Sequence, residues 1–111
     1  MLDGVIIQGT TPTHYFDIPE EYTEENVEKA TVVYSHKGIM IKKTGEIVVF
    51  KNDDGTEDRK YKVQLDQEDT LIFIPDCVLS AQLKVKLKNG EVYASDELRF
   101  RVCRILDTEV F

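Results

Sequence analysis

The C-terminal third of the chain carries the clearest alternation of apolar and polar residues. Over Ala81–Leu87 every second residue is apolar, and glutamine or lysine occupies the positions between. This period of two predicts a strand with one buried and one exposed face. Asn89-Gly90 follows, and this dipeptide favours a two-residue type I′ turn because both residues tolerate positive φ. Such a turn places Val85 opposite Ala94 in the returning strand.

One acidic residue conflicts with this hairpin. In the same register Asp96 faces inward, opposite Leu83, and burial of an unpaired carboxylate is costly. We therefore predict a β-bulge, or a crossing from one sheet to the other, near residues 95–97.

Shorter apolar or alternating segments, separated by turn signals, precede the hairpin. In chain order they are Val5–Ile7, His14–Ile18, Ala30–Tyr34, Ile39–Ile41, Glu46–Phe50, Tyr61–Leu65 and Leu71–Ile74. The pattern predicts an all-β fold of about seven to nine short strands, with at most one short helix in the acidic segment near residues 20–28. Continuous apolar runs suit strands covered on both sides, which favours an antiparallel β-sandwich.

Length and composition indicate a single domain spanning residues 1–111. The chain has 41% hydrophobic and 32% charged residues, a balance typical of a globular domain with one core. Its net charge of −7 argues against nucleic-acid binding, which requires a basic patch. The outward stripe Lys84, Lys86 and Lys88 is interpreted as a solvated strand face that discourages edge-to-edge pairing.

We expect neither membrane insertion nor secretion by a signal peptide. No apolar run has the length of a membrane-spanning helix. The first four residues, 1–4, lack the basic and long apolar regions of a signal peptide. Cys77 and Cys103 lack a CxxC spacing, and we expect both to be reduced.

No motif for a metal or a cofactor is present, and we predict neither. In the acidic segment Asn52–Asp58, Gly55 comes too early for a calcium loop and the closing glutamate is missing. His14 and His36, with the two cysteines, would supply four zinc ligands only if the fold brought them together.

We expect a protein that is not an enzyme. No serine has a glycine-flanked elbow, and Ser35 and His36 are adjacent strand positions that face opposite sides. Tyr15 and Tyr93 are predicted at outward strand positions, where an aromatic ring can stack on a sugar. A carbohydrate-binding β-sandwich is therefore the alternative function, and a small hydrolase is the third.

Four segments of the chain carry a resemblance to a known family. They are Gln8–His14, Ala30–Ser35, Leu65–Leu71 and the hairpin from Leu83 to Val102. In this order they resemble small immunoglobulin-like β-sandwich proteins encoded among the structural genes of tailed phages and prophages of Gram-positive bacteria. The layout is also similar to the N-terminal domain of phage upper baseplate proteins. The resemblance implies an immunoglobulin-like fold without catalytic residues, located in the virion or in the host cytoplasm before assembly.

From these features we expect a structural or adaptor protein of a phage tail or baseplate, acting through protein–protein contacts. The expected partners are other phage structural proteins, or further copies of the chain in a homo-oligomer. Val5, Ile6 and Ile7 are candidate interface residues because a terminal strand can pair within its own sheet or be donated to a neighbour. Val110 and Phe111 are candidates because the hydrophobic C-terminal segment either tethers a neighbour or packs on its own core.

Overall fold

The computed structural model describes residues 2–110, which form nine strands and one short helix. In chain order the elements are β1 (Gly4–Ile7), β2 (Thr13–Asp17), β3 (Val27–His36), β4 (Ile39–Lys43), β5 (Glu46–Lys51), β6 (Glu57–Gln64), α1 (Gln67–Leu71), β7 (Val78–Leu87), β8 (Val92–Ala94) and β9 (Leu98–Cys103). The large sheet has the order β1-β9-β7-β3-β4, with β8 also paired to β7. The small sheet has the order β2-β6-β5. This arrangement confirms the predicted all-β, sandwich-like fold.

The core lies between the two sheets. Phe16 and Val63 from the small sheet and Tyr34, Leu83 and Val102 from the large sheet are all at most 2% exposed. Each of these side chains occupies an inward position of an alternating strand, which is why the period-two pattern identified most of the core.

The helix lies in a different place from the one predicted. Residues 20–26 form turns before β3, whereas α1 begins after Asp66, whose backbone N–H donates to Asp69 Oδ2 at 2.9 Å. The predicted strand over Leu71–Ile74 is also wrong, because Leu71 ends α1 and Phe73 enters the core from a turn. A run of four apolar residues does not distinguish a strand from a helix end by periodicity alone.

The turn after β7 is a three-residue loop, so the predicted type I′ turn is wrong. Gly90 has a φ of 96°, but Asn89 does not have the positive φ that a type I′ turn requires. The N–H of Leu87 donates to the carbonyl of Glu91 at 2.8 Å, and the N–H of Gly90 donates to the carbonyl of Leu87 at 3.0 Å. A three-residue loop with one left-handed glycine is the other common way to close a hairpin.

The longer loop shifts the returning strand by one residue. Val85 lies opposite Tyr93 instead of Ala94. The shift turns Tyr93 toward the core, so its predicted outward position is wrong. It also places Ser95 inward and Asp96 at the surface, which removes the conflict without burying a carboxylate.

The predicted irregularity near residues 95–97 is confirmed as a break between β8 and β9. The N–H of Ser95 donates to the carbonyl of Leu83 at 2.9 Å, and the N–H of Leu83 donates to Ser95 Oγ at 3.0 Å. The serine hydroxyl thus takes the place of a strand carbonyl. With the hydroxyl as acceptor at this point, β8 and β9 both lie along the same edge of β7.

One strand pair departs from the predicted antiparallel arrangement. β1 runs parallel to β9, with Gly4 opposite Phe100 and Ile7 opposite Cys103, and the other described pairs are antiparallel. A hairpin would impose the antiparallel direction, but almost the whole chain separates these two strands. β1 therefore pairs within its own sheet, and Ile6 is fully buried in the core.

Ser95→Ala should destabilise the protein by about 1–3 kcal/mol, because it leaves the buried N–H of Leu83 without an acceptor. The measurement is the free energy of unfolding from urea denaturation. Ser35→Ala, at an exposed outward position of β3, is the matched control and should change stability by less than about 0.5 kcal/mol. Equal losses for the two variants would contradict the assigned role of Ser95.

Candidate interaction surface

Several large apolar side chains are exposed at one end of the large sheet. They lie on β1, on the segment between α1 and β7, at the start of β7 and in the tail after β9, and each is between 41% and fully exposed. We call this set the apolar end surface, and its members are Val5, Ile7, Ile72, Ile74, Val78 and Leu106.

Hydrogen bonds from the segment after β1 hold these pieces of chain together. Gln8 Nε2 donates to the carbonyl of Phe73 at 2.9 Å, and Gln8 Oε1 accepts from the N–H of Ile105 at 3.4 Å. Thr70 Oγ1 donates to the carbonyl of Thr10 at 2.9 Å. The end of β1 is thereby joined to α1, to the loop after it and to the C-terminal tail.

Strand alternation places the apolar side chains of β1 on two different faces. Ile6 points into the core, so Val5 and Ile7 point outward, at 55% and 45% exposure. Arg101 on β9 is opposite both Val5 on β1 and Val78 on β7. Two exposed valines therefore flank one guanidinium on the outer face of the sheet.

The strand at this end of the sheet also has a free edge. β1 is the terminal strand, and its four residues, Gly4–Ile7, carry no charge. Native edge strands usually carry lysine, proline or a bulge that prevents another strand from pairing. The opposite terminal strand, β4, follows this rule with Lys42 and Lys43. β1 is short, at four residues, but it has no lysine, proline or described bulge, so its edge can accept a short added strand.

The predicted interface residues fall in three different environments. Val5 and Ile7 lie on the apolar end surface, whereas Ile6 belongs to the core. Val110 is 47% exposed and lines a shallow depression beside α1. Phe111 lies outside the described residues.

Sequence reasoning missed the part of the surface that surrounds Phe73. Ile72 and Ile74 flank this buried side chain and are 52% and 41% exposed. In a sequence, an apolar residue on each side of an aromatic is a signal for a buried ring flanked by two exposed side chains. A prediction of one strand over Leu71–Ile74 does not contain this arrangement, because it does not include the turn that buries Phe73.

His14 lies between the sheets and forms a polar contact inside the core. Its Nδ1 is 2.7 Å from Tyr34 Oη, and its ring stacks on Phe100 with centroids 4.4 Å apart. Burial lowers the pKa of His14 to about 4. Burial, reinforced by the negative charge of Asp69, raises the pKa of Tyr34. Both groups are therefore neutral at pH 7, and the phenol donates to the imidazole nitrogen.

His36 holds the segment that carries part of the apolar end surface. It is 2% exposed, its Nε2 lies 3.0 Å from the N–H of Ile74, and its Nδ1 lies 3.0 Å from the carbonyl of Val78. The carbonyl of Ile74 also lies 3.2 Å from Nε2, so both ring nitrogens contact the main chain of this segment. Ser35 is exposed on the opposite face, as predicted, so the two side chains do not form a nucleophile–base pair.

The other predicted chemistries are not brought together. Within residues 2–110 there is no cluster of three or more histidine, cysteine or acidic side chains suited to a metal ion, and Cys77 and Cys103 are free. Tyr15 is 45% exposed on the small sheet, where it contacts Phe50 edge-on, whereas Tyr93 faces the core. The two tyrosines therefore do not share a stacking platform. The described helix, α1, is too short to cross a membrane.

Comparison of the chain with protein-family models, with curated proteins and with solved structures gave no match. No relative therefore assigns a role to any residue of the apolar end surface. Its interpretation rests on exposure, strand order and hydrogen bonding.

His14 should make the protein less stable as the pH falls from about 6.5 to about 4. In this range the unfolded chain, whose histidine has a pKa near 6.5, binds a proton that the folded chain excludes. His14→Gln keeps a hydrogen-bond acceptor for Tyr34 but does not titrate. Between pH 7 and pH 4 the variant should lose about 1–2 kcal/mol less stability than the wild type, with allowance for solvent screening of a partly exposed ring. Parallel stability curves from urea denaturation would contradict this assignment.

Proposed function

We propose that this chain is a non-enzymatic, immunoglobulin-like structural or adaptor protein of a phage or prophage, and that it holds a partner protein at the apolar end surface. The observation that carries the proposal is the uncharged free edge of β1 beside exposed apolar side chains. Scattered exposed apolar residues are common on protein surfaces, but a group of them at one place is typical of an interaction site. The proposed partners are other phage structural proteins or further copies of the chain.

The strand order supports the immunoglobulin-like part of the proposal. The strands of an immunoglobulin domain are lettered from A in chain order. One sheet contains strands B, E and D in that order, and the other contains strands C, F and G. Here β2-β6-β5 corresponds to the first set, and β3, β7 and β9 correspond to the second. β4 extends the second sheet next to β3, at the position of an additional strand in variable-type domains.

The chemistry of the β1 edge supports binding by strand addition. An added strand gains affinity from main-chain hydrogen bonds and specificity from the outward side chains on either side. Val5, Ile7 and Val78 are each about half exposed, so covering them would contribute about 1 kcal/mol per side chain. Ile6 stays in the core during such binding, and β1 does not have to leave its own sheet.

A photo-crosslinking amino acid at Ile7 tests this surface against a matched position. The control is Phe50, which lies on β5, the terminal strand of the small sheet, at 44% exposure compared with 45% for Ile7. We expect the label at Ile7 to crosslink one defined protein in cells that encode the chain, and the label at Phe50 not to crosslink it. The crosslinked protein is identified by mass spectrometry. The same products from both positions, or none from Ile7, would contradict the proposed surface.

Particles released after prophage induction test the assignment to a phage. We expect the chain to copurify with the particles and to be detected in them by mass spectrometry. Ile7→Lys should reduce its amount in the particles about tenfold or more, because a lysine on the edge strand opposes strand addition. Phe50→Lys is the control and should leave incorporation unchanged. If cells make the chain but purified particles lack it, the phage assignment is contradicted. The crosslinking experiment tests the apolar end surface independently of that result.

A further inference from the structure

The outer face of the large sheet carries a concentration of positive charge on a chain whose net charge is −7. Four lysines from β3, β4 and β7 surround a shallow depression of about 510 Å³, whose lining also includes Thr31 and Val92. We call these four residues the lysine face: Lys29, Lys42, Lys84 and Lys86.

Protection of sheet edges accounts for only part of this arrangement. Lys29 and Lys86 are directly opposite one another in the β3–β7 register, and opposed like charges destabilise a sheet. Lys42 lies on the terminal strand β4, where it protects a sheet edge, and Lys29 lies outside the segment of β3 that pairs with β4. Lys84 and Lys86 lie on β7 between β3 and β8, where no edge needs protection. Lys86 has an ion pair with Glu28 at 3.6 Å, whereas Lys29, Lys42 and Lys84 have none within residues 2–110.

A complementary concentration of negative charge lies on the connection between β2 and β3. Its exposed glutamates form no ion pair with any other described residue. We call this connection the glutamate loop, and its acidic members are Glu20, Glu21, Glu24 and Glu25.

The glutamate loop is well ordered by internal contacts. Asn26 Oδ1 accepts from the N–H of Thr23 at 2.7 Å, and Asn26 Nδ2 donates to the carbonyl of Glu21 at 2.6 Å. Tyr22 is 8% exposed and packs edge-on against Tyr93 of β8, with centroids 5.6 Å apart. The carboxylates are therefore presented on a fixed scaffold, which reduces the entropy lost when they bind.

The lysine face and the glutamate loop are neighbours on the molecule. The N–H of Lys88 donates to the carbonyl of Asn26 at 2.9 Å, and Glu28 pairs with Lys86 where the loop joins β3. We propose that the lysine face of one copy of this chain binds the glutamate loop of a second copy. In a two-fold arrangement each copy supplies both surfaces, so the two contacts form together.

Charge-reversal variants test the proposal better than salt does, because salt screens both the local attraction and the overall repulsion between two acidic chains. The variant Lys84→Glu/Lys86→Glu makes the lysine face acidic, and Glu24→Lys/Glu25→Lys makes the glutamate loop basic. All four positions are exposed, so the fold should be unaffected. The first variant has a net charge of −11 and the second a net charge of −3.

Sedimentation equilibrium measures the self-association of each protein over a wide concentration range. We expect the wild type to dimerise and each variant alone to dimerise at least about tenfold more weakly. An equimolar mixture of the two variants should recover the wild-type affinity, because each reversed surface then meets its complement. Lys37→Glu/Lys51→Glu, with both changes at exposed positions away from the lysine face, is the control and should dimerise like the wild type.

Three results would overturn the proposal. The first is a wild-type protein that is monomeric at every concentration. The second is stronger association of Glu24→Lys/Glu25→Lys than of the wild type, which would show that association follows net charge alone. The third is a dimer that none of the reversals weakens, which would place self-association at another surface, such as the edge of β1.

Discussion

The pairing of β7 on both of its edges is the constraint on which the rest of the structure depends. β3 occupies one edge, and β8 and β9 share the other because the Ser95 hydroxyl replaces a strand carbonyl between them. With both edges occupied, the side chains of β7 alternate strictly between core and solvent. The same alternation that supplies Leu83 and Val85 to the core therefore supplies Lys84 and Lys86 to the lysine face.

The two surfaces lie at opposite ends of this strand. Val78, at the start of β7, belongs to the apolar end surface, and Lys86, near its end, belongs to the lysine face. Eight residues of extended chain separate them by about 26 Å. A dimer held by the lysine faces and glutamate loops would leave both apolar end surfaces open. The two proposed interactions are therefore compatible, and either can fail without the other.

The sequence predicted what depends on local pattern and missed what depends on the path of the chain. The alternation in β7 was predicted correctly, because period-two burial is a local property. The register of Tyr93 was not, because Asn89-Gly90 is compatible with both a two-residue and a three-residue loop. Ile72 and Ile74 were missed for another reason: their exposure depends on how the chain turns to bury Phe73 between the sheets.

The parallel pairing of β1 with β9 determines how the domain carries mechanical load. Tension applied to the chain before β1 and after β9 pulls these two strands in opposite directions along their common axis. The hydrogen bonds from Gly4–Ile7 to Phe100–Cys103 are then loaded together in shear, whereas an antiparallel pair pulled at one end would open one bond at a time. Under tension the first step of unfolding must also extract Ile6 from the core. Pulling the two ends of the described chain apart along this axis therefore requires these bonds to break together.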